Sequence, residues 1–374
     1  MVVLGTRLRR WRSQRTSIKK GARLGILGAI VITTLTASCS GSTTSVPISF
    51  PASSQFRSHS ATPRPSPSLK TIQVAAGSED LPFLQDPTAV GEFKRYGLNV
   101  EAIPYGSGQL AFNEPTAGYS AFFLSSTVFA EMAEARLGTS AVSEPFSTPL
   151  VVLTWQPLIP LLQTLGIVNG SGQFDIGKYL DVASKGVRWT GTRGNTFYHN
   201  SARVLLRMTN PTESDSGAMF VAAASYVLNK GNVLTGISQV QPIASQIANV
   251  LRGLGELQPT TYLLFQQYLT EGVKGAPLVL GYQSEFVGEQ RSSPGKIPRG
   301  AVMLQLNFTV DCIHTVVPFN DDGRTFGTVL NDPVMQKLAS GKYGFLVPGS
   351  GGGAGNISVP EPDIMKALIY DATP

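Results

Sequence analysis

The chain has 374 residues, 42% of them hydrophobic and 14% charged, with 30 Lys and Arg against 24 Asp and Glu for a net charge of +6. Eight of those cations and none of the acids precede Cys39, so the chain from Cys39 onward holds 22 cations against 24 acids; nucleic-acid binding, which rests on a basic surface, loses its support. The three histidines, His59, His199 and His314, and the two cysteines, Cys39 and Cys312, show no metal-ligand spacing, and no motif calls for a cofactor.

The leader carries Arg7, Arg9, Arg10, Arg12, Arg15, Lys19, Lys20 and Arg23, followed by an apolar run of 14 residues from Leu24 to Ala37. A membrane-spanning helix needs about 20. Small residues then lead into cysteine, Thr36-Ala37-Ser38-Cys39. A charged segment, a short apolar core and a small-residue cleavage site make an export signal. Because it ends on cysteine it resembles a bacterial lipoprotein signal, although the leucine usual three places before the cysteine is replaced by Thr36, with Leu35 one place further back. The resemblance implies that residues 1–38 are removed and that Cys39 carries a palmitate-type lipid on the outer face of the cytoplasmic membrane. Cys312 is then left without a disulfide partner and, in an apolar run, reads as a buried inert thiol.

Residues 39–70 are rich in Ser, Thr and Pro and poor in large apolar residues. Such a stretch cannot bury enough surface to offset its ordering entropy and reads as a disordered tether, about 30 Å long as a coil.

From Thr71 onward, short apolar strands alternate with amphipathic helices, which predicts α/β layering with a mostly parallel sheet. Strands are expected at Thr71–Ala76, Leu98–Ile103, Tyr119–Leu124 and Pro149–Trp155, with helices at Pro87–Tyr96 and Val128–Arg136. A second block begins near Trp155, with helices at Leu158–Leu165, Gly177–Ser184, Ala218–Leu228, Gln239–Leu254 and Thr260–Thr270. Its strands are expected at Ala202–Met208 and Pro277–Tyr282, and Val302–Val310 returns the chain toward the first block. A helix at Asp332–Ala339 and a Gly-rich loop, Gly349–Gly355, follow.

Four strand ends run into small residues: Gly77-Ser78, Gly106-Ser107-Gly108, Ser125-Ser126 and, after a turn, Ser214-Asp215-Ser216-Gly217. Ligands of open α/β sheets bind beyond the carboxyl ends of strands. Glycine admits close backbone approach, serine supplies a small donor and acceptor, and helix N-termini offer unpaired N–H groups. Each cluster alone is also what an ordinary cap or turn looks like. Their recurrence is what marks Gly77, Ser78, Ser107, Gly108, Ser125, Ser126, Ser216 and Gly217, with Tyr282, as candidate ligand-binding residues.

The strand into Gly77-Ser78, the GSGQ at Gly106–Gln109, FFLSS at Phe122–Ser126, TNPTESDSGAMF at Thr209–Phe220 and LGYQSEFV at Leu280–Val287 resemble a bacterial extracellular solute-binding protein of the type II periplasmic-binding fold. The resemblance runs from Thr71 to about Phe345. It implies two Rossmann-like α/β lobes with a ligand cleft between them, residues 71–154 plus about 305–374 forming lobe 1 and about 155–304 lobe 2. Pro149–Trp155 and Val302–Val310 would be the crossovers. It further implies capture of a small polar or anionic solute for an ABC-type importer by a monomer with no catalytic role.

Ser216-Gly217 resembles the Ser-Gly-Thr loop of phosphate binders, distantly, since Ala218 stands for the threonine and Arg207 lies too far upstream. Asp215 and Glu213 would repel an anion there. Another oxyanion, a sugar or an amino acid stays open, and Trp155, Trp189, Tyr226 and Tyr282 are candidate stacking rings. Two other readings use different features. A lipid-anchored hydrolase would use His314 as its base, without a Gly-x-Ser-x-Gly elbow. A cell-wall accessory protein or adhesin would keep the fold without transport.

Overall fold

The computed structural model describes residues 69–348 and 355–374. The export signal, Cys39, the tether through Ser68 and most of the Gly349–Gly355 loop lie outside the described residues. Among those described, the strands are β1 (Lys70–Gly77), β2 (Leu98–Tyr105), β3 (Ala121–Leu124), β4 (Ser143–Trp155), β5 (Val279–Tyr282), β6 (Ala301–Gln305) and β7 (Asp311–Pro318). The first helices are α1 (Leu81–Leu84), α2 (Pro87–Arg95), α3 (Ser107–Phe112), α4 (Thr127–Leu137), α5 (Ile159–Thr164) and α6 (Ile176–Ser184). They continue with α7 (Asp215–Leu228), α8 (Val240–Leu251), α9 (Thr261–Gly275), α10 (Gln283–Ser292), α11 (Asp321–Leu330), α12 (Pro333–Gly341) and α13 (Pro362–Ala372).

Alternation along β1 sets the first layer. Ile72, Val74 and Ala76 pack on one face with Phe83, Phe93 and Phe326, and Ala75 packs on the other with Phe122 and Leu124. Burying each large side chain stabilises the fold by roughly 1.5–3 kcal/mol. Two helices of this layer start on an Asp-Pro pair: Asp86 accepts from Thr88 N–H at 2.8 Å at the head of α2, and Asp332 from Val334 N–H at 2.8 Å at the head of α12. Proline at the first helical position costs no hydrogen bond, and the carboxylate satisfies an otherwise orphan donor.

The sheet order is β2-β1-β3-β7-β4-β5, with β6 also on β4. Only β1–β2 and β1–β3 are parallel; β7 and β4 add antiparallel to the first set, and β5 and β6 are antiparallel to β4. The sheet is therefore mixed rather than mostly parallel. A parallel neighbour needs a helical crossover, and the strands that pass between the layers supply none.

Strand β4 carries the chain from one lobe to the other. Its Ser143–Pro149 half pairs with β7, and its Leu150–Trp155 half pairs with β5 and β6. The strand thus begins six residues before the expected Pro149. The return path is two strands, not one: β6 stops at Gln305, residues 306–310 make single bridges to Phe174 and Asn356, and β7 starts at Asp311. A mixed α/β chain of two lobes, each on its own half of a shared sheet, results. The C-terminal helix α13 packs against α8, α7 and α4.

Ala202–Met208 is not a strand. Val204, Leu206 and Met208 are buried in alternation, as a strand requires. The backbone, however, divides its partners: Val204 N–H bonds Val187 O, Arg207 pairs with Leu278 and Leu280, and Met208 O accepts from Gln258. No single neighbour offers two consecutive rungs. Helices α1, α3, α10, α11 and α13 and strand β7 go beyond the elements read from sequence.

Candidate functional site

Three of the four expected clusters sit where the two lobes meet. β1 ends at Gly77 and turns through Ser78–Asp80 in one 3₁₀ turn. Ser107 opens α3, Ser125 and Ser126 close β3, and Tyr282 closes β5. A chain of bonds links three of these ends. Ser107 Oγ accepts from Ser125 N–H at 2.9 Å and donates to Ser125 Oγ at 3.1 Å, and Ser125 Oγ in turn donates to Glu79. Ser78 Oγ lies 3.4 Å from the other Glu79 oxygen. From the second lobe, the Tyr282 hydroxyl donates to Asp215 Oδ2 at 3.1 Å, beside Ser126 and Cys312.

Ser216 and Gly217 are placed differently. Ser216 Oγ is 2.8 Å from both Thr209 Oγ1 and Thr261 Oγ1, and Gly217 N–H donates to Thr209 Oγ1 at 2.9 Å. Both are spent inside the second lobe, fastening the head of α7. Gly106 and Gly108 are what let the lobes touch. A Cβ on Gly106 would fall 2.1 Å from Glu213 O, and one on Gly108 2.5 Å from Thr212 O. The Gln109 N–H donates to Glu213 O at 3.2 Å across the same seam.

Sequence reasoning named Asp215 and Glu213 but passed over Glu79, Asp80 and Glu285. Glu79 and Asp80 follow Ser78 directly, and Glu285 lies three residues past Tyr282, whose N–H it caps at 3.2 Å. Acids in a first helical turn are ordinary, so nothing local set them apart. Burial pushes Glu79 up to about 7, with repulsion from Asp80 adding and with His314 and Ser125 pulling back. Burial likewise raises Glu285 well above the carboxylate range, and the facing Glu79 raises it further. Asp215 is raised by burial against the pull of Ser126, Tyr282 and Cys312.

His314 is fully buried, with Nδ1 3.0 Å from Asp80 Oδ1. Burial opposes its charge, but Asp80, Glu79 and Asp215 outweigh that and raise its pKa. Phe123, Phe146 and Phe345 surround the ring, with centroids 5.2 to 5.9 Å away. Its contacts are an acid and three aromatics, where a triad needs a nucleophile's hydroxyl. Cys312 is fully buried and its thiol is pushed well up, first by burial and then by Asp215, as an inert thiol should be. Trp155 and Trp189 are core residues, and Tyr226 packs edge-on to Phe308 at 5.6 Å.

Beside these strand ends runs a narrow crevice. Glu79, Pro82, Tyr343 and Phe345 line it from the first lobe, and Tyr262, Phe265, Ser284, Glu285 and Glu289 from the second. Its volume is about 30 Å³, and it opens to solvent. A larger hollow of about 640 Å³ lies apart, within the second lobe, against Leu158, Phe197, His199 and Lys274. Among the described residues, no group of three or more His, Cys, Asp or Glu could hold a metal ion, and no helix is long and apolar enough to cross a membrane.

No protein-family model matches the sequence, and no curated protein matches it. Solved structures do resemble it in shape. The periplasmic binding protein AfuA of Actinobacillus pleuropneumoniae, solved with fructose-6-phosphate, is 12% identical and superposes with a TM-score of 0.53 over 80% of this chain and 97% of its own. The ferric binding protein of Campylobacter jejuni is 10% identical, with a TM-score of 0.53 over 80% and 96%. The apo ferric ion-binding protein A of Pasteurella haemolytica is 13% identical, with a TM-score of 0.52 over 81% and 95%. With two α/β lobes meeting at their strand ends, this chain has the type II fold of the periplasmic binding proteins.

Proposed function

We propose that this chain is an extracytoplasmic solute-binding protein that captures a small polar solute between its lobes and delivers it to an ABC-type permease. The observation that carries the reading is the convergence of three first-lobe strand ends, through Ser107, Ser125 and Glu79, on the second-lobe ends at Asp215, Tyr282 and Glu285. Ligands of α/β sheets bind at such ends. The likeness in fold to periplasmic binding proteins supports it. Residues near 155 and 305 mark the exchange between lobes, and the lipid on Cys39 with its Ser/Thr/Pro tether holds a monomer at the outer face of the cytoplasmic membrane. Among the seam residues, acids outnumber bases, so a polar, donor-rich solute fits better than an oxyanion.

A second reading, an accessory or adhesin protein that keeps the fold, has one observation in its favour: Gly106 and Gly108 rest their backbone directly on Thr212 and Glu213. Thermal unfolding of the purified full chain with a panel of sugars, amino acids, amines and oxyanions separates the two. A binding protein gains about 2.7 kcal/mol at a hundredfold excess of ligand over Kd. No stabilisation by any compound, with the fold intact by circular dichroism, selects the accessory reading.

A further inference from the structure

We propose that the crevice between Glu79 and Glu285 receives the ammonium group of a small aliphatic amine, so that the captured solute is an organic cation; this rests on the solute-binding reading above. Three features of the crevice lead there. Its polar wall is acidic: Glu79 faces Glu285 across the lobes, Glu289 lies one helical turn further along α10, and no Lys or Arg lines the space. Its other walls are aromatic, Phe265 and Tyr262 on α9 and Tyr343 and Phe345 opposite. Carboxylates and ring faces together attract cations and not anions.

The second feature is unmet bonding capacity. Glu285 Oε1 and Ser284 Oγ have no hydrogen-bond partner, although Glu285 is only 8% exposed and Ser284 5%. Buried acceptors left unpaired are costly. An ammonium group donates three hydrogen bonds and would satisfy both, with its charge met by the ionised form of Glu79.

Size is the third. The crevice's volume of about 30 Å³ leaves room for a water-sized group, which an ammonium head is. An alkyl chain would leave past Pro82 and Tyr262, which are exposed at the rim. The carboxylates are not grouped around one point as a metal requires.

The charged and titratable groups around Glu79 are Asp80 beside it, His314 on β7, Asp215 on α7, and Glu285, Tyr282 and Cys312. Lys296 pairs with Glu289 at 3.2 Å from outside the lining. Burial holds Glu79 at about 7, and a cation binds its ionised form, so amine binding releases a proton and tightens as pH rises.

Calorimetric titration of the full chain with butylamine and 1,4-diaminobutane, against butanol, butyrate, orthophosphate and glucose, tests this. The expected result is binding of an amine but not of butanol or butyrate, about tenfold tighter at pH 8 than at pH 6 as Glu79 ionises. In Glu285→Gln, which keeps the cap on Tyr282, the affinity should fall at least tenfold; in Glu79→Gln the pH dependence should flatten. Binding of orthophosphate or glucose without any amine overturns the cation and leaves the solute-binding reading standing. No binding by any compound overturns both. Amine binding unchanged in both variants places the cation elsewhere and overturns the assignment.

Discussion

The Tyr282 hydroxyl donates to Asp215 Oδ2 at 3.1 Å, and neither side chain is more than 1% exposed. This bond ties the end of β5 to the head of α7 at the floor of the interlobe seam. It stabilises a carboxylate that burial would otherwise drive toward its neutral form. Replacing Tyr282 with Phe removes that donor and keeps the ring. A buried acceptor that loses its partner costs about 1–3 kcal/mol. Urea unfolding of Tyr282→Phe should report a loss in that range, with an unchanged slope.

Protonation of the seam gives a stability that depends on pH. The folded state holds Glu79 at about 7, above the ordinary glutamate value of 4.5. The sign follows from linkage: the folded protein binds this proton more tightly, so the contribution is complete below 4.5 and is lost as pH rises to about 7. His314, raised by its carboxylates, acts in the same direction above its ordinary value. Unfolding free energies should therefore be higher at pH 5 than at pH 8, Glu79 supplying about 3 kcal/mol at most by its shift. In Glu79→Gln the slope between pH 5 and 7 should shrink, and an unchanged slope would remove Glu79 as its source.

Gly106 carries the closest approach of the lobes. With Glu213 O 2.1 Å from where a Cβ would stand, Gly106→Ala must displace the 212–213 backbone. Lobe contact should loosen, raising the radius of gyration in small-angle scattering and lowering stability by about 1–3 kcal/mol. Gly91, whose Cβ would meet nothing within 4 Å, is the control site where alanine should leave both quantities unchanged or improved.

Lipidation at Cys39 is tested by Cys39→Ala. The variant should fail to incorporate labelled palmitate and should leave the membrane fraction. Retention in membranes with label intact would remove Cys39 as the anchor site.

Much of the element pattern was legible because local chemistry and tertiary packing agree. β1, β2, α2, α4 and α12 fall where alternation, helical spacing and Asp-Pro caps put them. Ala202–Met208 misled because burial alternates along any extended segment against a core, whereas a strand is defined by which backbone lies beside it. β7 was missed as an element because Val302–Cys312 reads as one apolar run, and the break at 306–310 depends on contacts with Phe174 and Asn356. At the site, the serines advertised the strand ends, but Ser216 could be separated from Ser125 only by seeing Thr209 and Thr261 close around it.

The sequence by itself determined the layering of α on β, the ends of β1, β2, β3 and β5 and the export-signal pattern before Cys39. These are set by residues near one another in the chain, through side-chain period, caps and small-residue spacing. The tertiary structure alone decided that Glu79 and Glu285 share the seam. Glu79 and Glu285 stand 206 positions apart, and their mutual repulsion exists only because the lobes bring β1 and α10 together out of water. Charge in a sequence is a sum; in a fold it is a sum weighted by distance and burial, and that weighting turned ordinary first-turn acids into the chemistry of the cleft.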